Sequence, residues 1–154
     1  MSNTSIQSMS ATPFELKILE LINEHRQQLA LEPLVMNDYA HRLAELHTQK
    51  MASGDIAIGH DGFINADGSG RAADVIRALG GSTAAENVAY GQTTPEDVVQ
   101  NWLTSDGHRQ NIEGTYNVTG ISVQTDAQGR HVFTQIFVYV PPVVAEDETP
   151  TDAE

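Results

Sequence analysis

The sequence contains no cysteine, which excludes a disulfide framework and any metal site built on thiolates. Positive charge is also scarce, because eight lysines and arginines stand against 21 aspartates and glutamates, for a formal net charge of −13. A chain of this charge is repelled by nucleic-acid phosphates and by anionic membrane surfaces. Nucleic acid is therefore not an expected partner, and the fold must be stabilised by its core alone.

Long hydrophobic runs are absent, and no stretch approaches the roughly 20 apolar residues that cross a membrane. Residues 1–12 lack the basic start and the apolar run of a secretory leader, so we expect no leader and a flexible N-terminus. Residues 141–154 are acidic and poor in large apolar side chains, which predicts a disordered tail. Residues 13–140 have the length of one domain with one core, which we expect to be monomeric.

Two helices are predicted in the first third of the chain from their capping residues. The stretch TPFE at 12–15 is a capping box with proline at the first helical position, and apolar residues at helical spacing extend the predicted helix over 13–30. Asn37 can cap a second helix over 38–52, which Gly54 ends.

Two further helices are predicted in the middle of the chain. The segment GSGRAADVIRALGG supports a short third helix closed by Gly80 and Gly81. Thr94 as cap, with Asp97 completing a second capping box, predicts a fourth helix over 95–104.

Strands are predicted only near the end of the chain, over 118–125 and 130–140, where apolar residues alternate. Gly129 lies between these runs and can adopt the positive φ of a short hairpin loop, so the two strands should pair antiparallel. Helices come first and strands follow without βαβ alternation. The predicted class is therefore α+β, with helices packed on a small antiparallel sheet.

Four segments carry motifs in a shared order: INEHRQQLALEPLVMNDYAHRLAELHTQKMA, GHDGF, AENVAYGQTTPEDVVQNWLTSDGHRQNI and TGISVQ with VFTQIF. Together they resemble the CAP superfamily, also called the SCP or pathogenesis-related-1-like family, in its bacterial, cysteine-free form. The resemblance implies a three-layer α-β-α sandwich with a central, mainly antiparallel sheet and an open cleft. It also implies a secreted or envelope-attached protein, with the cytoplasm as the alternative for a chain without a leader.

The resemblance further implies a cleft lined by two histidines and two glutamates, of which half are present. His60 in GHDGF matches the first histidine, and Glu86 in AEN matches the first glutamate. Ser105 stands at the position of the second glutamate and Val132 at that of the second histidine. His131 adjoins Val132, but successive strand side chains point to opposite faces, so it does not replace the missing imidazole.

His108 in DGHRQNI can supply a second imidazole opposite His60. Two neutral imidazoles suit zinc or another divalent cation, and an open coordination position would leave a water for Glu86 to activate as general base. One predicted function is therefore a metal-dependent hydrolase. The other is a binding module whose open cleft takes a small apolar molecule, a peptide or a glycan, with or without the ion. The incomplete set of cleft residues favours the binding module.

Each candidate also has a purely structural interpretation. Glu86 beside Asn87 can accept backbone N–H bonds and fasten a loop to the sheet. His47 and Trp102 lie on the apolar faces of the second and fourth helices, positions typical of core residues. Ser105 precedes DGHRQNI and is better interpreted as a helix cap than as a nucleophile.

Overall fold

The structure is a computed structural model that describes residues 11–143, so nearly all of the predicted flexible N-terminus and acidic tail lies outside the described residues. Five helices and four strands lie within this range, and no helix there is long and apolar enough to cross a bilayer. In chain order the elements are α1 Pro13–Gln28, β1 Val35–Met36, α2 Asp38–Ser53, α3 Arg71–Leu79, β2 Thr83–Tyr90, α4 Pro95–Leu103, α5 Asp106–Ile112, β3 Val118–Thr125 and β4 His131–Tyr139.

The four strands form one sheet in the order β1-β3-β4-β2. The predicted hairpin is confirmed, because β3 pairs antiparallel with β4 and Gly129 in its turn has a φ of +81°. On its other side β4 pairs antiparallel with β2, while β1 contributes a two-residue parallel pairing with β3. The sheet is therefore mainly antiparallel, as the family resemblance implied.

Helices cover both faces of the sheet and make the predicted three-layer α-β-α sandwich. The first face carries α1, α4 and α5, and the second carries α2 and α3. The main core lies on the first face and consists of Ile18, Ile22, Leu34, Ala89, Val98, Val99, Trp102, Ile112, Ile121, Phe133 and Phe137. The second face is filled by a smaller cluster of Ala40, Ala44, Val75, Ile136 and Val138. Trp102 is thus a core residue, as predicted.

The predicted helix starts are confirmed, with one difference in how a cap is made. Thr12 and Glu15 form both bonds of the capping box, and the Asn37 side chain accepts from a backbone N–H of α2. Thr94 accepts from the backbone N–H of Asp97, but the Asp97 carboxylate accepts from the Thr93 hydroxyl. The second box is therefore only half formed, since Asp97 bonds a threonine one position earlier than expected.

The segment around Glu86, for which no helix or strand was predicted, is strand β2. The sequence TAAENVAY does not alternate between polar and apolar residues, because both faces of the strand are covered. Ala85 and Ala89 pack against the main core on the first face, whereas Ala84 and Val88 pack beneath α2 and α3 on the second. Glu86 follows the same alternation and lies on the second face.

Candidate functional site

Glu86 is the buried centre of the site, with a side chain 1% exposed. One carboxylate oxygen lies 2.9 Å from His60 Nδ1 and 2.8 Å from Arg71 Nη2, and the other lies 2.8 Å from Arg71 Nε. Burial alone would raise the pKa of Glu86, but the hydrogen bonds from His60 and Arg71 outweigh it and hold the pKa below its usual range. Glu86 is therefore an anion held by two side chains.

Arg71 is the functional residue that sequence reasoning missed. It opens α3, and its guanidinium also donates to the backbone carbonyl of Asp61 at 2.8 Å. This bond ties the loop that carries His60 to the start of the helix. Gly70 makes the close approach possible, because a Cβ there would overlap the Phe63 carbonyl and its φ is +131°. The sequence did contain a signal for this partner, because a buried carboxylate needs a cation and the chain has only eight lysines and arginines.

The structural role predicted for Glu86 is thus found with different partners. We expected its carboxylate to accept backbone N–H groups, whereas both oxygens accept from side chains. The reason is its position within a strand, whose N–H groups are directed in the plane of the sheet and away from the side chain.

His60 stands above Glu86 with 53% of its side chain exposed. Its Nδ1 faces the carboxylate, which keeps a proton on this nitrogen because a carboxylate can only accept. The Nε2 lone pair then remains for a ligand or an ion. The structure thus brings His60 and Glu86, the two residues matched through the family resemblance, into direct contact.

His108 lies on α5, half-buried, with its Nδ1 2.9 Å from the Ser105 hydroxyl. Burial lowers the pKa of His108, and the neighbouring His60 lowers it further, so the ring is neutral at pH 7. Ser105 occupies the N-cap position, as predicted, but its hydroxyl contacts the imidazole and makes no capping bond. Among residues 11–143 no carboxylate forms an ion pair with His108, so the Ser105–His108 contact lacks the acid of a catalytic triad.

Helix α5 is fixed to β2 by a pair of asparagine side chains. The Asn87 amide donates to the His108 carbonyl at 3.1 Å, and Asn111 donates to the Asn87 side chain at 2.8 Å. Asn111 also reaches the Glu86 carbonyl at 3.3 Å. These bonds hold the backbone of α5 at His108 in a fixed relation to the backbone of β2 at Glu86.

His131 and His47 lie where the sequence predicted. His131 packs edge-on against Phe14 of α1 at 5.0 Å, on the face opposite Glu86, whereas Val132 contributes to an apolar cluster on the Glu86 face. The parity argument is confirmed, because the histidine next to the missing position cannot enter the cleft. His47 is buried on α2, and its Nε2 lies 2.7 Å from the Gly59 carbonyl, so it is a hydrogen-bonded core residue.

Few side chains of the site are available to bind a metal ion, because hydrogen bonds already occupy the Glu86 carboxylate. Within residues 11–143, no three or more histidine or acidic side chains converge in a group that could hold an ion. Because Arg71 and His60 occupy the Glu86 carboxylate, the donors that remain at the cleft are the imidazoles of His60 and His108. Two imidazoles fit an ion that completes its shell with water or ligand, but not the three protein ligands of a catalytic zinc site.

The chain belongs to the cysteine-rich secretory protein family (CAP), whose family model matches residues 19–137. The uncharacterized protein YkwD of Bacillus subtilis (strain 168) is 34% identical over 139 residues, which are 89% of this chain and 51% of that protein. This chain therefore spans about half the length of that relative.

Solved structures share the fold. An outer surface protein from Borrelia burgdorferi has a TM-score of 0.70 at 21% identity, covering 85% of this chain and 96% of that chain. An extracellular protein containing a SCP domain from Bacillus anthracis str. Ames has a TM-score of 0.66 at 21% identity, covering 90% of this chain and 44% of that chain. At these identities the likeness establishes the common architecture, and it agrees with the resemblance seen in the sequence.

Proposed function

We propose that this domain is a binding module whose cleft, at His60 and His108, takes a small apolar molecule, a peptide or a glycan. The observation that carries the proposal is the state of Glu86. Its carboxylate is buried, and both oxygens accept hydrogen bonds from Arg71 and His60. Such a group organises the cleft and supports His60, which is the role expected of a binding scaffold.

The alternative function, a metal-dependent hydrolase, demands more of the same residue. A general base must reach the proton that it removes, usually within hydrogen-bonding distance of the attacking water. Glu86 would first have to release Arg71 or His60, and its lowered pKa makes it a weak base. The binding module needs no such rearrangement and is therefore the better-supported function.

We also propose that a divalent cation, with zinc as the test ion, can bind between His60 and His108. Each ring has its Nδ1 engaged, by Glu86 in one case and by Ser105 in the other, so Nε2 is the nitrogen left for coordination. The Glu86–His60 contact is the type of carboxylate support that orients metal-bound histidines. When bound, the ion would carry a positive charge, and an oxygen or nitrogen atom of the ligand could coordinate to it.

Calorimetric titration with zinc at about pH 7.5 and about pH 5.5 tests the ion, because imidazole binds metal only when neutral and titrates near 6.5. We expect weaker binding at the lower pH and loss of most binding in His60→Ala or His108→Ala. His25→Ala is the matched control, since His25 lies on α1 and pairs with Glu113, away from the cleft. Zinc affinity that ignores both pH and His108 would remove the ion from the proposal.

The hydrolase alternative has its own test. The zinc-loaded protein would be mixed with an activated ester such as p-nitrophenyl acetate, and release of p-nitrophenol followed with time. We expect no zinc-dependent rate above that of zinc in buffer. A zinc-dependent rate that Glu86→Gln abolishes would favour the hydrolase over the binding module.

We further propose that the domain acts outside the cytoplasm, secreted or attached to the cell envelope. Support comes from similar folds in proteins described as extracellular, outer-surface or secretory, the last being a cysteine-rich secretory protein from Staphylococcus aureus. Fractionation of cells that express the full-length protein would test this, with the protein expected in the medium or envelope. Recovery from the cytoplasm alone would contradict it.

A further inference from the structure

A cavity of about 360 Å³ lies between α2, the loop that follows it and the start of α3. Its apolar wall is formed by Leu43, Leu46 and Ile56. Its charged wall includes Lys50 and Asp61, and none of His60, Glu86 or His108 lines it. The volume falls within the usual range of sites for small organic ligands. The cavity is therefore a candidate site that adjoins the Glu86 site and shares Arg71 with it.

Lys50 and Asp61 are opposite charges on the wall of this cavity, and neither side chain has a partner among residues 11–143. Within residues 11–143 the Lys50 ammonium makes no hydrogen bond or ion pair, and neither does the Asp61 carboxylate, whose residue is tied to Arg71 only through its backbone carbonyl. By contrast, Asp74 on the same wall pairs with Arg77 at 3.4 Å. The two charges also form no ion pair with each other, so both are available to an entering ligand.

The other polar groups of the wall are already occupied or neutral. The Arg71 guanidinium donates hydrogen bonds to the Glu86 carboxylate and to the Asp61 carbonyl. Burial lowers the pKa of His47, and its Nε2 is held by the Gly59 carbonyl, so this ring adds no charge. Its Nδ1 is buried without a hydrogen-bond partner among residues 11–143. Within residues 11–143, the cavity wall therefore presents one unpaired cation, one unpaired anion and aliphatic side chains to an entering molecule.

We propose that this cavity binds short zwitterionic peptides with aliphatic side chains. The amino terminus of the peptide would pair with Asp61 and its carboxylate with Lys50, while its side chains would lie against Leu43, Leu46 and Ile56. A peptide offers an amino terminus, a carboxylate and aliphatic side chains together, which matches the three kinds of group on the cavity wall. Burial of the aliphatic side chains supplies affinity, and the two ion pairs fix the direction of the peptide.

Leucyl-leucine is the probe, titrated into the ¹⁵N-labelled protein and followed by amide chemical shifts. We expect saturable shifts at the Lys50 end of α2, at Asp61 and at the start of α3. Lys50→Glu should weaken binding about tenfold, because it replaces an attraction with a repulsion, and Asp61→Asn should weaken it several-fold. Lys17→Glu is the matched control, with the same charge change on the exposed face of α1. N-acetyl-leucyl-leucine amide, which carries neither charge, should bind far more weakly.

Three results would overturn the proposal. The first is the absence of saturable shifts at millimolar leucyl-leucine. The second is equal affinity for the wild-type protein and a Lys50→Glu protein whose circular dichroism confirms that it is folded. The third is a pattern of shifts centred on α5 around His108, which would move the peptide into the cleft.

Discussion

Arg71 and Glu86 are joined by two hydrogen bonds of 2.8 Å, one to each carboxylate oxygen, between the start of α3 and the middle of β2. Both side chains are largely removed from water, with 12% and 1% exposed. A two-point contact of this kind fixes geometry as well as charge. It also makes each partner dependent on the other, since a single buried charge is far more costly than a pair.

The first prediction concerns this pair. Arg71→Ala should lower the free energy of unfolding by about 3 to 5 kcal/mol, because Glu86 would be left buried without its cation. Urea unfolding followed by circular dichroism measures the change. Arg77→Ala is the control, since Arg77 is exposed and pairs only with Asp74, and its effect should stay within about 0.5 kcal/mol. Equal effects of the two substitutions would mean that the Arg71–Glu86 pair adds nothing to stability.

The second prediction concerns Arg26, a buried arginine that serves as a cross-link between backbone segments. Its guanidinium donates to the carbonyls of Glu32, Ile112, Gly114 and Tyr116 at 2.7 to 2.9 Å. The Ile112 carbonyl is one of those that α5 leaves unsatisfied at its C-terminal end. Arg26 therefore closes the turn that leads from α5 towards β3.

Arg26→Lys keeps the charge but replaces a planar group of three nitrogens with one ammonium. Some of the buried carbonyls would lose their donors, and we expect a loss of about 2 to 4 kcal/mol in the free energy of unfolding. Arg42→Lys, at an exposed position of α2, should change it by less than about 0.5 kcal/mol. A lysine at position 26 that leaves the urea midpoint unchanged would contradict the cross-linking role.

The third prediction is a pH dependence at the buried Glu15–His41 contact, in which His41 Nε2 lies 3.1 Å from a Glu15 oxygen. The other Glu15 oxygen accepts from the Val123 backbone N–H at 2.9 Å. The hydrogen bond to Glu15 raises the pKa of His41, against the opposing effect of burial. Burial would raise the pKa of Glu15, but the bonds from His41 and from the backbone N–H groups of Thr12 and Val123 together outweigh it and lower the pKa.

These directions set the pH window. The His41 contribution is fully present below the ordinary histidine pKa near 6.5 and is lost as pH rises through the raised folded value. The Glu15 contribution is present above the ordinary pKa near 4.3 and is lost as pH falls through the lowered value. The stability that His41 adds should therefore be greatest between these two ordinary values.

Urea unfolding of the wild type and His41→Gln at several pH values isolates this effect. The stability difference between them should shrink by about 1 kcal/mol or more from pH near 6 to pH near 9. His47 and His108 have lowered pKa values and act in the opposite direction, but they are present in both proteins and cancel in the difference. A difference that is constant with pH would exclude a charged His41 in the folded state.

Helices and the hairpin were predictable because their signals are local. The side chains of Thr12 and Asn37 accept hydrogen bonds from backbone N–H groups three residues away, and Gly129 adopts the positive φ that the hairpin turn requires. Strand β2 was not predictable in this way, because its alanines, Glu86 and Asn87 have weak strand preference and are selected by contacts on both faces. Its pairing with β4 connects residues distant in sequence.

The same distinction between local signals and long-range contacts applies to the candidate site. His60 and Glu86 were located through motifs at matching spacing, and the opposite orientation of His131 followed from strand geometry. Arg71 was not located, since its pairing with Glu86 depends on how α3 meets β2. The engagement of the Ser105 hydroxyl by His108 also depends on side-chain rotation, which the capping pattern does not determine.

The last prediction concerns Gly120 of β3, where α2 crosses the sheet in direct backbone contact. A Cβ at this position would overlap the backbone of Ala40 and the amide nitrogen of His41. Backbone atoms in a helix cannot move aside as a flexible side chain can, so Gly120→Ala must push α2 away from β3. We expect a loss of about 3 kcal/mol or more in the free energy of unfolding, measured by urea titration.

Gly107 in α5 provides the matched control, because a Cβ there meets no atom within 4 Å. Gly107→Ala should be neutral or stabilising by up to about 1 kcal/mol, since alanine favours the helix and restricts the unfolded chain. The same chemical change thus has opposite expected signs at two positions of one domain. If Gly120→Ala unfolds at the urea midpoint of the wild type, the close contact between α2 and β3 does not exist in solution.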